Sequence, residues 1–195
     1  MRRDSATQAH RSRWAWTLAS GLFTLLVAAC ALLLPELEHA PRAGFVGTLM
    51  LVAGIAELGF GFKRRTEGGD AAAIGSGAST ALAGLFFILN PHATYSMVTS
   101  VVMAWLFIRG AWVFAIALRS RSTDRSWPWV ALSGAADLLL GVGLALGLQI
   151  TALAVALFGP TPRVVALFAA ILATSFLITG ASQVAIAITG RRAVR

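Results

Sequence analysis

From Gly77 to Arg121 the chain reads GASTALAGLFFILNPHATYSMVTSVVMAWLFIRGAWVFAIALRSR, two apolar segments parted by Asn90-Pro91 and closed by a basic exit. The 13 residues before the break are almost wholly apolar, and the 25 after Pro91 hold a single charge, Arg109. A helix rises about 1.5 Å per residue and a bilayer core is about 30 Å thick, so each arm, with its flanks, is long enough to cross it. The stretch therefore predicts a transmembrane helical hairpin. The remainder of the chain reads as two further copies of it.

The copies are found by offset. Subtracting 56 from Gly77, Pro91, Gly110 and Arg121 gives Gly21, Pro35, Gly54 and Arg65. Adding 57 to Gly77 and Gly84 gives Gly134 and Gly141, while Gly110 and Arg121 recur 70 residues on as Gly180 and Arg191. Internal repeats of this kind are a common way to build membrane bundles. The difference between 57 and 70 places a 13-residue insertion in the third copy, near 148–162. The expected fold is thus all-α: six transmembrane helices as three tandem hairpin repeats in one bundle. A basic tail (1–13) precedes hairpins at 14–65, 71–121 and 127–192, with spans beginning near Trp14, Ala43, Gly77, Pro91, Trp127 and Val164. Pro128 is compatible with the first turn of the fifth span.

Charge supports the same class. Only 12% of residues are charged, with a mean hydropathy of +0.77, whereas about a quarter are charged in soluble domains. The net charge of +8 could suggest nucleic acid, but the basic residues gather at helix ends, as in membrane topology signals. Counted by alternate loops, the N-terminus, the turn after span two, the turn after span four and the C-terminus hold 4, 3, 3 and 3 Lys or Arg. The opposite side holds only Arg42 and Arg163. Both termini are therefore expected in the cytoplasm. His39 and His92 fall on the other side, as ordinary loop residues or as groups titrating near neutrality. The lipid bilayer is the expected partner, with homo-oligomerisation left open.

Val27-Ala28-Ala29-Cys30 resembles a lipoprotein cleavage site, but the following ALLLP stays apolar and cleavage would halve the first repeat. Cys30 reads better as a small packing residue. As the only cysteine it excludes an intrachain disulfide and a multi-thiolate metal site. Gly47, Gly54 and Gly61 recur every seven residues, Gly143 and Gly147 form a GxxxG pair, and Gly134 and Gly141 share a face with Asp137. Small residues so spaced let helix backbones approach closely in lipid.

Polar groups at membrane depth are the most informative residues, being costly there unless they face a partner or cavity. They are Glu57, Arg109, Asp137 and Gln183. Glu57, Val113 and Gln183 occupy matching repeat positions, as do Thr24, Thr80 and Asp137. Arg109 lies ten residues before Arg119 and Asp137 ten after Trp127, so both sit about 15 Å deep and are expected to pair. Trp105 and Trp112 flank Arg109 and could stack on it. Glu57 is the rival partner, about 6 Å shallower. The cluster reads either as a structural ion pair or as a proton or solute site. No catalytic residue, cofactor or metal site is expected. Ser79 in Gly77-Ala78-Ser79 has no histidine within a span to serve as its base, and the glycines sit mid-span instead of forming a phosphate loop.

Three tandem hairpins with a glycine-bearing first arm, a proline-type break and a late glycine before a basic exit resemble the HdeD family of bacterial membrane proteins. The matching segments are Gly21–Arg65, Gly77–Arg121 and Gly134–Arg191, with Gln149 in the third copy where the break proline would fall. That resemblance implies a non-enzymatic inner-membrane protein linked to acid or envelope stress. It supplies no catalytic residues.

Overall fold

The computed structural model describes the backbone of residues 2–32, 42–65, 71–123, 126–158 and 162–192. Side chains are described for 15–30, 44–63, 71–94, 96–123, 126–146 and 170–188. Among these residues all regular structure is helical: α1 (Arg2–Leu32), α2 (Arg42–Arg65), α3 (Ala71–Leu89), α4 (Tyr95–Ser120), α5 (Trp127–Phe158) and α6 (Pro162–Arg192).

Local chemistry accounts for where the helices stop. At the end of α3 the Asn90 side-chain amide donates to the Phe86 carbonyl at 2.9 Å, and Ala93 N–H closes a turn on the Asn90 carbonyl at 3.0 Å. Pro91 cannot continue the helical ladder, so the chain turns there. Two helices run beyond the spans read from the sequence. The tail 1–13 is continuous in helix with the first span, because α1 starts at Arg2 and no Gly or Pro occurs before Gly21, while the apolar stretch of α1 begins at Ala15. The fifth helix runs past its expected end near Leu148 into the insertion: α5 continues through Phe158, and α6 starts at Pro162.

Five helices contain an apolar stretch long enough to cross a membrane: Gly44–Lys63, Ala71–Leu89, Ser96–Ser120, Trp127–Leu146 and Ala170–Ile188. Among the described residues α1 offers the shorter Ala15–Cys30. Large apolar side chains such as Leu82, Leu89, Leu139 and Leu146 point outward and are exposed, as a lipid-facing surface requires. The chain thus has the make-up of a multi-pass membrane protein.

The helices close into a ring, each packed on its chain neighbours and α6 back on α1. The tightest contacts join α2 to α3, α4 to α5, and α6 to α1. Each is centred on a pair of facing glycines. A Cβ on Gly54 would lie 2.8 Å from the Gly77 carbonyl and 2.3 Å from Ala81 N. On Gly110 it would lie 2.9 Å from the Gly134 carbonyl, and on Gly21 2.9 Å from that of Gly180. Gly47 meets Gly84 in the same way. Backbones this close leave no room for a side chain, and dispersion between them holds the pairs where lipid supplies no hydrophobic drive. The sequence-assigned packing glycines divide: Gly47, Gly54 and Gly134 are in such contacts and Gly61 lies close to Ile74, while Gly141 is only at ordinary van der Waals distance from Leu106 and Phe107. Gly143 faces open space, so the GxxxG expectation fails there, and the surroundings of Gly147 lie outside what the structure describes.

Inside the ring, all six helices feed one apolar cluster that includes Ala28, Met50, Phe87, Leu106, Leu144 and Phe176. These residues lie toward the Asn90 end of the bundle. Toward the end carrying Lys63, Arg119 and Arg121, the interior becomes polar.

Candidate functional site

Arg109 on α4 organises the polar half. Its side chain is 1% exposed, and the helix aims it across the ring at three other helices. Nη1 donates to Asp137 Oδ2 on α5, forming an ion pair with a residue that is itself fully buried. Nη2 donates to Thr179 Oγ1 on α6 at 3.1 Å and lies 3.8 Å from Glu57 Oε1 on α2. Ser175 Oγ donates to Asp137 Oδ1 at 2.6 Å and stands 3.5 Å from Arg109 Nη1. On the α2–α3 side, Ser76 Oγ donates to Glu57 Oε1 at 2.6 Å. Ser133 and Thr179 share a further hydroxyl bond at 3.0 Å. Each charge thus has a charged partner and a hydroxyl, the arrangement that offsets the large desolvation penalty of a buried ion.

The two tryptophans beside Arg109 part company. Trp105 is buried with its ring centroid 5.7 Å from the guanidinium carbon, and its indole N–H donates to Thr80 Oγ1 at 3.1 Å. Trp112 does not reach the arginine. It turns outward, 46% exposed, and its indole N–H donates to the Ala71 carbonyl at 3.0 Å, over Gly75, where a Cβ would collide with the ring.

A cavity of about 70 Å³ adjoins the cluster on its basic side. Glu57, Arg109, Ser133 and Gln183 line it, together with Ala72, Val130 and Ile186. Ala72 and Val130 lie within a turn of the starts of α3 and α5, so the cavity extends toward the basic ends of the helices. Two buried polar atoms on its lining residues, Arg109 Nε and Gln183 Oε1, have no hydrogen-bond partner within the protein. A space this size has room for more than one water molecule. On the opposite side Trp105, Leu106 and Phe176 close the interior, the Trp105 and Phe176 rings 5.9 Å apart.

The structure therefore brings together Glu57, Arg109 and Asp137 and sets Gln183 on the same cavity. The shallower depth of Glu57 does not prevent its approach, since the arginine side chain spans the interval. Sequence reasoning missed the hydroxyls Ser76, Ser133, Ser175 and Thr179. One signal was available: Ser20, Ser76 and Ser133 recur at the same 56 and 57 offsets as the glycines, and all three are buried. Ser79 is spent locally, donating to the Ser76 carbonyl at 2.8 Å. His92 is exposed in the α3–α4 turn, while His39 lies outside the described residues. Among the described residues no group of His, Cys, Asp and Glu is placed to hold a metal ion.

Fold and site together define a helical, membrane-type chain with an internal repeat and a buried ion cluster. The chain belongs to the family described as a short repeat of unknown function (DUF308), whose model matches residues 19–88 and again 75–146. The two matches start 56 residues apart, the spacing at which the glycines recur. No curated protein and no solved structure matches the chain.

Proposed function

We propose that this chain is an integral protein of the bacterial cytoplasmic membrane whose ion cluster forms a site for a small polar solute or a proton, entered from the cytoplasmic side. The observation that carries this reading is the cavity joining Glu57, Arg109 and Gln183 to the basic ends of the helices. A purely structural ion cluster needs no space beside it, whereas this one adjoins a cavity on its basic side. In this reading six helices cross the bilayer as three hairpins, 14–65, 71–121 and 127–192, with both termini and the basic turns in the cytoplasm. The distribution of Lys and Arg supports the orientation. The recurrence of one facing glycine pair at three interfaces, Gly54–Gly77, Gly110–Gly134 and Gly180–Gly21, supports the threefold organisation. Reporter tags at residues 1 and 195 test it: both should read cytoplasmic, and a periplasmic signal from either sinks the six-span topology.

Entry to the site is tested with Ser182→Cys, a buried position on the cavity wall, in a Cys30→Ser background. A membrane-impermeant thiol reagent should modify it from the cytoplasmic face and not from the other, with lipid-facing Leu139→Cys as the unreactive control. An unmodified Ser182→Cys in well-folded protein would make the cluster a sealed structural element.

A second reading is favoured by the near-complete hydrogen bonding of Asp137 and Glu57. Here the protein is non-enzymatic, of the HdeD type, and acts in acid or envelope stress with the cluster serving stability alone. Survival of a deletion strain after acid challenge, complemented by the wild type but not by Asp137→Asn, is its expected signature.

A further inference from the structure

The residues around the cavity keep two unmet hydrogen-bonding groups of opposite kind. Arg109 has both terminal nitrogens engaged, Nη1 by Asp137 and Nη2 by Thr179. Its Nε, which can only donate, has no partner among the described residues. The side-chain oxygen of Gln183, which can only accept, has none either. The two side chains come from α4 and α6, and both line the cavity. Leaving a buried donor and a buried acceptor unmade is unfavourable, so the site calls for an occupant that offers the complement of each.

The hydroxyls nearby do not meet that need. Ser76 donates to Glu57 at 2.6 Å, and Ser133 and Thr179 share a bond at 3.0 Å. The rest of the lining includes the apolar side chains of Ala72, Ala73, Val113, Val130 and Ile186. Water suits such walls poorly, because an ordered water seeks about 2–4 polar partners. A few placed polar groups on an otherwise apolar lining is the usual make-up of a small-molecule pocket. Charge narrows the occupant further. Arg109 is paired with Asp137 and lies 3.8 Å from Glu57, so an anion would enter beside carboxylates and a cation beside a guanidinium. That holds whatever other contacts Glu57 makes. A neutral molecule meets neither obstacle, and a cavity of about 70 Å³ restricts it to a short carbon chain.

We propose that the cavity binds a short-chain primary amide. Its carbonyl oxygen accepts from Arg109 Nε, its N–H donates to Gln183 Oε1, and its alkyl tail lies against the apolar part of the lining. This rests on the reading of the cluster as a site open to the cytoplasmic side and adds the chemical class of the solute.

The test compares propionamide, butanone and propionate, which have equal numbers of non-hydrogen atoms but carry respectively an acceptor with a donor, an acceptor alone, and a negative charge. The first readout is the labelling rate of Ser182→Cys in the Cys30→Ser background, with the full chain in lipid vesicles. Propionamide should slow it along a one-site curve, to about one-eleventh at ten times the half-effective concentration. Butanone should need about 2–12-fold more, the effect of one lost hydrogen bond, and propionate should not protect. The second readout leaves the cavity unmodified: saturation-transfer NMR of the wild type in lipid nanodiscs should show transfer to propionamide that weakens in Gln183→Leu. Equal protection by propionamide and butanone, or transfer unaltered by Gln183→Leu, overturns the pairing. Protection by propionate in place of propionamide makes this an anion site and overturns it too. If Ser182→Cys is labelled but neither readout responds to propionamide, the open site stands with water as its occupant and the amide assignment falls. If no label attaches to folded protein, the open site falls and the amide with it.

Discussion

Toward the Asn90 turn, the interior of the ring is filled by Met50, Phe87, Leu106 and Phe176; toward the basic turns it is filled by Glu57, Arg109, Asp137 and four hydroxyls. All six helices feed the apolar half, and five of them, α2 to α6, supply the polar one. In lipid the apolar half gains little from being apolar, because the tails outside are equally so, and its worth lies in fit. The polar half has the opposite property. Its members are costly anywhere except against one another, so they define which helix faces must meet. Shape closes one half and charge specifies the other.

The comparison breaks most sharply at Arg109. Arg109→Met leaves two buried carboxylates without their cation and should destabilise the protein by about 3–5 kcal/mol, the range for one-sided removal of a buried pair. Denaturant unfolding in detergent measures this. Adding Asp137→Leu to that variant should recover part of the loss, and a double variant no better than the single would show that the pair is not the organising contact.

Next comes the shared scaffold. Gly54→Ala places a Cβ 2.3 Å from the Ala81 backbone nitrogen, so α2 and α3 must separate, at about 1–3 kcal/mol as in overpacked cores. A thermal melt as stable as wild type would mean these helices can slide without loss. Smaller again, Thr179→Val removes one partner of Arg109 and of Ser133. Hydrogen bonds between membrane helices average about 0.6 kcal/mol in double-mutant cycles, and a Thr179–Ser133 cycle should return a coupling of that order. The smallest effect belongs to Gly143→Ala, which meets nothing within 4 Å and should leave the melting temperature unchanged; a clear loss would reveal a contact made only in an assembly.

Much of this architecture is readable from residue spacing, for definite reasons. Depth along a helix is fixed by rise per residue, so the equal distances of Arg109 and Asp137 from Arg119 and Trp127 are enough to place them at one level. Azimuth is not fixed that way. Trp105 and Trp112 are each about one helical turn from Arg109 in sequence, and only the ring decides that one faces inward and the other the Ala71 carbonyl. Pairing of helices is likewise hidden. Short turns suggest tight hairpins, yet the closest backbones belong to α2 with α3, α4 with α5 and α6 with α1, set by where Gly54, Gly110 and Gly180 find glycine partners. The run 149–158 reads as an insertion of unassigned structure, and it is helix because nothing in it breaks a helix before Gly159.

The facing glycines recur three times around the ring, but the charges do not. In the threefold alignment Arg109 corresponds to Ala53 and Thr179, Asp137 to Thr24 and Thr80, and Glu57 to Val113 and Gln183. Copies kept identical would crowd three guanidiniums around one axis, where like charges repel. On the proposed three-copy reading, duplication would preserve the skeleton while only divergence could furnish it, each copy surrendering its resemblance to the others at the one level where the three of them meet.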